Sequence, residues 1–125
     1  MYLGFIHLLR NEREAALRDF LADPELAARD TGLALVSHAN GKKVESDAAL
    51  ARVVDSAATF WAYGIAVIHA YRGERDQAFT WLQKARDARD GDLFYLLGDP
   101  LLKPLHDDPR WSALMKSMNL QNVRF

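Results

Sequence analysis

The sequence predicts an all-α fold, three helical hairpins in series closed by a helical C-terminal cap. Three observations carry that expectation. Ile65, Ala66, His69 and Ala70 recur at helical spacing, and Ala78, Leu82 and Ala85 do so again further on. Gly73 separates the two runs, at a point where a helix end needs a residue that tolerates positive φ. The pattern also repeats upstream. Laying Gly73 over Gly41 (73 − 41 = 32) places Gly64 on Gly32, Ala66 on Ala34, Val67 on Leu35 and Leu82 on Leu50. Laying Gly41 over Asn11 (41 − 11 = 30) places Ala34 on Gly4, Leu35 on Phe5 and Ser46 on Ala16. Asn is the residue that best tolerates the left-handed conformation after Gly, so Asn11 can do what the two glycines do.

The periodicity predicts helices over 2–10 and 12–22, 24–39 and 42–54, and 56–72 and 75–89. A single domain, 1–125, then divides into repeats of about 1–22, 24–54 and 56–89 and a cap over 91–119. Asp23-Pro24 reads as an N-cap followed by proline at the first helical position, where no amide hydrogen is needed. Ser56 is the expected cap of the third unit's first helix, after a very short link around Asp55. Asp76 sits in the first turn of the sixth helix, where its charge suits the helix dipole. Small residues at Gly32, Ala34, Gly64 and Ala66 are expected to let each first helix approach its partner closely. Packing must then offset about 1 kcal/mol for each mid-helix glycine.

Beyond Ala88 the pattern changes. Arg89-Asp90-Gly91-Asp92 is a polar break, and Asp99-Pro100 and Asp108-Pro109 each read as the start of a helix. Leu93, Phe94, Leu101, Leu105, Trp111, Leu114 and Met115 form the expected buried set of this cap, since a repeat array needs an atypical end unit to cover its last apolar face.

Composition narrows the function classes. Half the residues are hydrophobic, so the chain can bury a core. With no cysteine there is no disulfide, thiolate metal site or cysteine nucleophile. The net charge is −1 with no basic run, which disfavours nucleic acid and acidic membrane surfaces as partners. The apolar start, Met1 to Arg10, is too short to span a bilayer and lacks the features of a signal peptide. A cytoplasmic protein is expected.

The repeating unit resembles the tetratricopeptide repeat (TPR), a helix–turn–helix of about 34 residues. Ala66 matches the small residue of its first helix, Ala78 the alanine opening its second, and Ala85 the next small residue. Leu82 stands where an aromatic is usual, and Ala62 and His69 replace the usual Trp and Tyr, with Trp61 and Tyr63 flanking Ala62. Gly73-Glu74-Arg75-Asp76-Gln77-Ala78-Phe79-Thr80-Trp81-Leu82 and the segment from Asp99 to Trp111 are similar to C-terminal TPR regions of bacterial signalling proteins. Those regions follow winged-helix regulators, class III adenylate cyclases and Ser/Thr kinases; the similarity covers roughly residues 30–120. It implies a right-handed superhelix and a non-catalytic protein–protein interaction module, the regulatory or dimerising part of such a protein. The TPR pattern would begin a few residues before Met1, which leaves open a fragment of a larger protein or a module acting alone.

If the first helices line a concave groove as in TPR arrays, it receives Phe5, Leu8, Thr31, Leu35, His38, Phe60, Tyr63, Val67 and Tyr71. Phe5, Leu35 and Val67 occupy the position often held by Asn in TPR domains that clamp a peptide carboxylate, so that mode is rejected. The apolar stripe could take an apolar peptide or helix, or be covered by the chain's own tail or a second copy as a homodimer. A sensor binding a small apolar or aromatic ligand in the same groove is the alternative. On the groove reading, Leu35→Glu and Val67→Glu abolish binding and spare helicity; unfolding would mark them as core.

No catalytic set, metal site or cofactor is expected. His7, His38 and His69 recur at equal spacing (38 − 7 = 31, 69 − 38 = 31), which invites a metal reading. Helices of successive repeats stack about 8–10 Å apart, though, and zinc–imidazole bonds need about 2.0–2.1 Å. The acidic pairs Glu12/Glu14 and Asp107/Asp108 fall at turns and caps, without a nucleophile–base–orienter set or a phosphate-binding loop.

Overall fold

The structure, a computed structural model, describes residues 2–89 and 98–118. Among them the chain is helical, without strands: α1 (Tyr2–Leu9), α2 (Arg13–Leu21), α3 (Leu26–Ala39), α4 (Lys43–Ala57), α5 (Ala62–Tyr71), α6 (Arg75–Asp87), a 3-10 helix η1 (Pro100–Leu105) and α7 (Pro109–Ser117). Helices pack in adjacent pairs, α1 with α2, α3 with α4, α5 with α6.

The three hairpins turn in one way. Asn11, Gly41 and Gly73 have φ of 61°, 74° and 78°. Their amides donate to the carbonyls of Leu8, His38 and Ala70 at 3.0, 3.0 and 3.1 Å. The next amides, of Glu12, Lys42 and Glu74, reach back to His7, Ser37 and His69 at 2.8, 2.8 and 2.9 Å. This pair of bonds is the Schellman ending of a helix, and it satisfies carbonyls that the helix leaves open. Glu12, Lys42 and Glu74 then start the following helix with nearly identical φ/ψ, −93°/72°, −96°/78° and −93°/74°. A turn this tight forces each pair antiparallel. It also puts Ala16, Ser46 and Ala78 at one equivalent site, and all three are fully buried.

Most of the core links neighbouring hairpins, with Ile68 and Phe5 reaching across to the other cluster. Leu8, Ala16, Phe20, Ala34, Leu35 and Ala49 knit the first two hairpins together. Ala27, Val53, Ala57 and Ile65 join the second to the third, with Trp61 and Trp81 against them. The third hairpin shares its core with Leu101, Leu102, Leu105, Trp111, Leu114 and Met115 of the tail. The tail therefore covers the third unit, as an end cap should; Leu93 and Phe94 of the expected set lie outside the described residues.

Polar contacts lock the tail down. Asp99 caps η1 through Oδ1, which accepts from the Leu101 amide at 3.0 Å, while its Oδ2 accepts from the Tyr63 hydroxyl at 2.7 Å. Asp108 caps α7, accepting from the Arg110 amide at 2.9 Å. Arg110 in turn reaches Asp76 of α6 at 2.7 Å and lies over the Phe79 ring, 4.6 Å from its centroid. Its guanidinium, hydrogen-bonded to Asp108, lowers that carboxyl from its ordinary 3.8 to about 2.

Three expectations are corrected. Asp23-Pro24 does not open α3. Asp23 Oδ1 accepts from the Glu25 amide at 2.9 Å, a local turn, and Glu25 is the N-cap, accepting from the Ala27 amide. Ser56 caps nothing: its hydroxyl donates to the Arg52 carbonyl at 2.7 Å, so α4 continues to Ala57 and α5 begins at Ala62 rather than at 56. The two glycines do not bring a hairpin's own helices together. A Cβ on Gly32 would lie 2.1 Å from Cγ of Phe20, which belongs to the preceding hairpin, and one on Gly64 would lie 2.2 Å from Nε1 of Trp61.

Gly32→Ala gains helix propensity, yet the new methyl collides with a fully buried ring. Overpacking of that kind costs about 1–3 kcal/mol and outweighs the gain of about 1 kcal/mol at most sites. Urea denaturation of the variant is expected to show a lower midpoint at unchanged slope. Asp108, with its folded pKa depressed, contributes stability that is present above pH about 4 and lost as pH falls through about 2. Asp108→Asn keeps a capping oxygen without the charge. Its deficit in thermal midpoint against the wild type should therefore be largest near neutral pH and shrink towards pH 2.

Candidate functional site

The nine residues of the expected groove separate into three groups. Leu8, Thr31, Leu35, Tyr63 and Val67 are buried, Leu35 and Thr31 completely. They form no open surface in this conformation. Leu8 and Leu35 sit in the core of the first two hairpins, and Tyr63 and Val67 lie beneath the tail with Leu101, Leu102 and Leu105. Thr31 is tied up by polarity: its hydroxyl donates to the Ala27 carbonyl at 2.7 Å and accepts from the Trp61 indole at 2.9 Å. Phe5 and Tyr71 are half-buried, and each packs against both the first-and-second-hairpin cluster and the third-hairpin-and-tail cluster. His38 and Phe60 remain exposed.

What is left accessible is therefore a seam rather than a trough. His38 meets Tyr71 edge to face, ring centroids 5.6 Å apart, so α3 and α5 present an aromatic pair to solvent. Burial raises the Tyr71 hydroxyl above the ordinary tyrosine range, so it stays a neutral donor and acceptor at any physiological pH. Phe5 packs edge to face on Phe20, centroids 5.4 Å apart. Phe60 stands apart, 56% exposed beside Trp61 at the start of α5. Chemically this face offers aromatic edges and one imidazole, a surface for apolar or aromatic contact.

The histidines do not converge. His7 Nδ1 lies 3.1 Å from Glu12 Oε2 and its Nε2 lies 3.3 Å from Asp19 Oδ2. His69 Nδ1 lies 2.9 Å from Glu74 Oε1. These are one contact made twice, a clasp across the hairpin turn. The even spacing of 31 hid it. His38 is equivalent to Leu8 and Ala70, whereas His69 falls on His7 at an offset of 62 (69 − 7 = 62). At that offset Arg72, Glu74, Arg75 and Ala78 fall on Arg10, Glu12, Arg13 and Ala16, a signal stronger than either single-repeat offset. The middle unit departs from it, with Ser37 for the histidine and Lys42 for the glutamate.

Arg72 is engaged on three sides. It donates to Ser46 Oγ at 3.2 Å and Asp47 Oδ1 at 2.6 Å on α4, and pairs with Glu74 at 3.0 Å. Hydrogen bonds from Lys43 and then Arg72 hold the Asp47 carboxyl below its ordinary range. Among the described residues no three metal-ligating side chains converge, and no helix is long and apolar enough to cross a membrane.

Because Leu35 and Val67 are core, Leu35→Glu and Val67→Glu are expected to unfold the protein rather than merely abolish binding. An unpaired buried carboxylate costs several kcal/mol, more than about 3 here. Circular dichroism at 25 °C would show loss of helical signal, and retained helicity would place these side chains at an open surface.

Comparison with protein-family models, curated proteins and solved structures returned no match.

Proposed function

We propose that the chain is a protein–protein interaction scaffold, its hairpins stacked as a short TPR-like right-handed superhelix and its partner gripped along the first-helix face. The observation that carries this reading is the three-fold recurrence of one turn geometry, with helices packed in adjacent pairs beneath a dedicated cap. Such construction stabilises an array while leaving His38 and Phe60 exposed. The polar side chains support it too: Glu12, Glu74, Arg72, Asp99 and Asp108 are engaged in clasps, caps and inter-helix pairs. A rigid face loses little ordering entropy on binding, which suits a cytoplasmic regulatory or dimerising role.

On this reading the partner contacts the exposed His38 beside the half-buried Tyr71, and the exposed Phe60 at the opposite end of α5. Its chemistry is apolar or aromatic, since that is what the face presents. The wild-type chain and a His38→Glu/Phe60→Asp variant, matched in helicity, should be immobilised and offered the same cell extract. Proteins retained by the wild type and lost by the variant, then reproduced with the purified partner, are expected. Sedimentation of the wild type and variant alone separates self-association, which the same substitutions should abolish. Identical retention and identical sedimentation of the two chains would sink the reading.

A further inference from the structure

Two inter-repeat junctions in one chain allow a direct comparison, and one difference lies at the C-terminal end of the first helix of each unit. Between the second and third hairpins the end of α5 is plugged from within. Arg72, whose side chain is only 7% exposed, lies across to α4, held by Ser46, Asp47 and Glu74. His69, 11% exposed at its side chain, sits beside it on Glu74. Between the first and second hairpins the equivalent residues are shorter. Asn40 stands for Arg72 (72 − 40 = 32) and Ser37 for His69 (69 − 37 = 32). There the structure has an open hollow of about 370 Å³ between α2, α3 and α4, lined by both of these residues.

The walls have changed in step. The carboxylates that hold Arg72 have no counterpart: Leu17 stands for Asp47, as aligned between the second helices (47 − 17 = 30), and Lys42 stands for Glu74 (74 − 42 = 32). Ala16 likewise replaces the Ser46 hydroxyl (46 − 16 = 30). The hollow thus has an apolar lining, from Leu17, Leu33, Val36 and Ala48, with Lys42 and Arg52 at its rim. Arg13 adds a third positive charge nearby, donating to Asn40 Oδ1 at 3.3 Å, against the carboxylates of Glu45 in the lining and Asp30 beside Arg52. Arg52 is shared with Asp30 at 3.0 Å, which leaves Lys42 and Arg13 as the cations best placed for an incoming anion. A site built for a guanidinium at one junction is therefore, at the other, apolar inside and positive outside.

We propose that this cleft binds an acidic segment of a partner protein, inserting one leucine or phenylalanine side chain between α2 and α4 where Arg72 sits one unit later. The carboxylates flanking that side chain meet Lys42 and Arg13. The site is separate from the first-helix face and stands or falls independently of it.

The test uses the isotopically labelled full chain, with acetyl-Glu-Glu-Leu-Phe-Glu-Glu-amide as probe and amide NMR shifts as readout. Saturating shifts at Leu33, Ser37 and Ala48 are expected. The same shifts should be at least about fivefold weaker in affinity with the Lys-for-Glu peptide or with Lys42→Glu, the size of reversing one exposed charge contact. Raising salt should weaken them. The variant Leu17→Asp/Asn40→Arg/Lys42→Glu rebuilds the internal plug and should abolish binding with helicity retained. Should that triple variant fail to fold, Lys42→Glu and the two peptides decide alone. Absence of cleft shifts at millimolar peptide would overturn the proposal. So would equal affinity for the acidic and basic peptides, equal binding of a peptide with Gly-Gly in place of Leu-Phe, or undiminished binding by a folded plugged variant.

Discussion

Phe20 is the wedge on which the first half of the molecule depends. Its ring is fully buried, and it fits only because two helices present no side chain to it: a Cβ on Gly4 would come within 2.9 Å of the ring and one on Gly32 within 2.1 Å. Gly4 belongs to the same hairpin and Gly32 to the next, so one aromatic side chain fixes both the pairing within a unit and the stacking between units. A large apolar side chain closing on bare backbone combines area burial with close dispersion contact. The second junction reaches the same end differently. Trp61 folds over Gly64 and donates its indole hydrogen to Thr31, which turns a steric fit into a directional one.

Around these wedges the turns set the geometry. Each hairpin closes through the same pair of backbone bonds and one residue in the left-handed conformation, Asn11, Gly41 or Gly73. The outer units then add a His–Glu clasp across the turn, and the middle unit omits it. That omission, with Asn40 in place of arginine, is why the two junctions differ in filling while sharing a backbone plan. At the first junction shorter side chains at Ser37 and Asn40 thus line an open hollow where the second junction holds His69 and Arg72.

The tail performs a different task. Its buried leucines, Trp111 and Met115 complete the core of the third hairpin, and Asp99 and Asp108 each spend one carboxylate on two jobs, capping a helix and binding a neighbouring side chain. By lying over Tyr63 and Val67 the tail occupies part of the face that a longer array would leave open. Phe5 and Tyr71, in contact with both major clusters, close most of the remainder. The stripe is satisfied in this way because Phe5 of α1 and the leucines of η1 both reach the core of the third hairpin.

Much of this was legible in the residues alone. Asn11, Gly41 and Gly73 marked the turns because few residues accept positive φ, and Asp99-Pro100 and Asp108-Pro109 marked helix starts because an Asx cap and an N-terminal proline are local chemistry. The helical class and, of the cap's apolar set, Leu101, Leu105, Trp111, Leu114 and Met115 needed nothing more than local pattern, whereas the fully buried Leu102 was missed. The rest was not local. Whether Ser56 caps a helix or bonds back to Arg52 depends on the packing of Ala57 with Val53 and Ile65, and whether Leu35 and Val67 face a partner or the core depends on where distant helices and the tail come to rest. Periodicity names an apolar face but carries no record of what covers it. Only the packed chain shows that the face predicted to be open is mostly filled, and that the open hollow lies between α2 and α4, where two short side chains stand in for long ones.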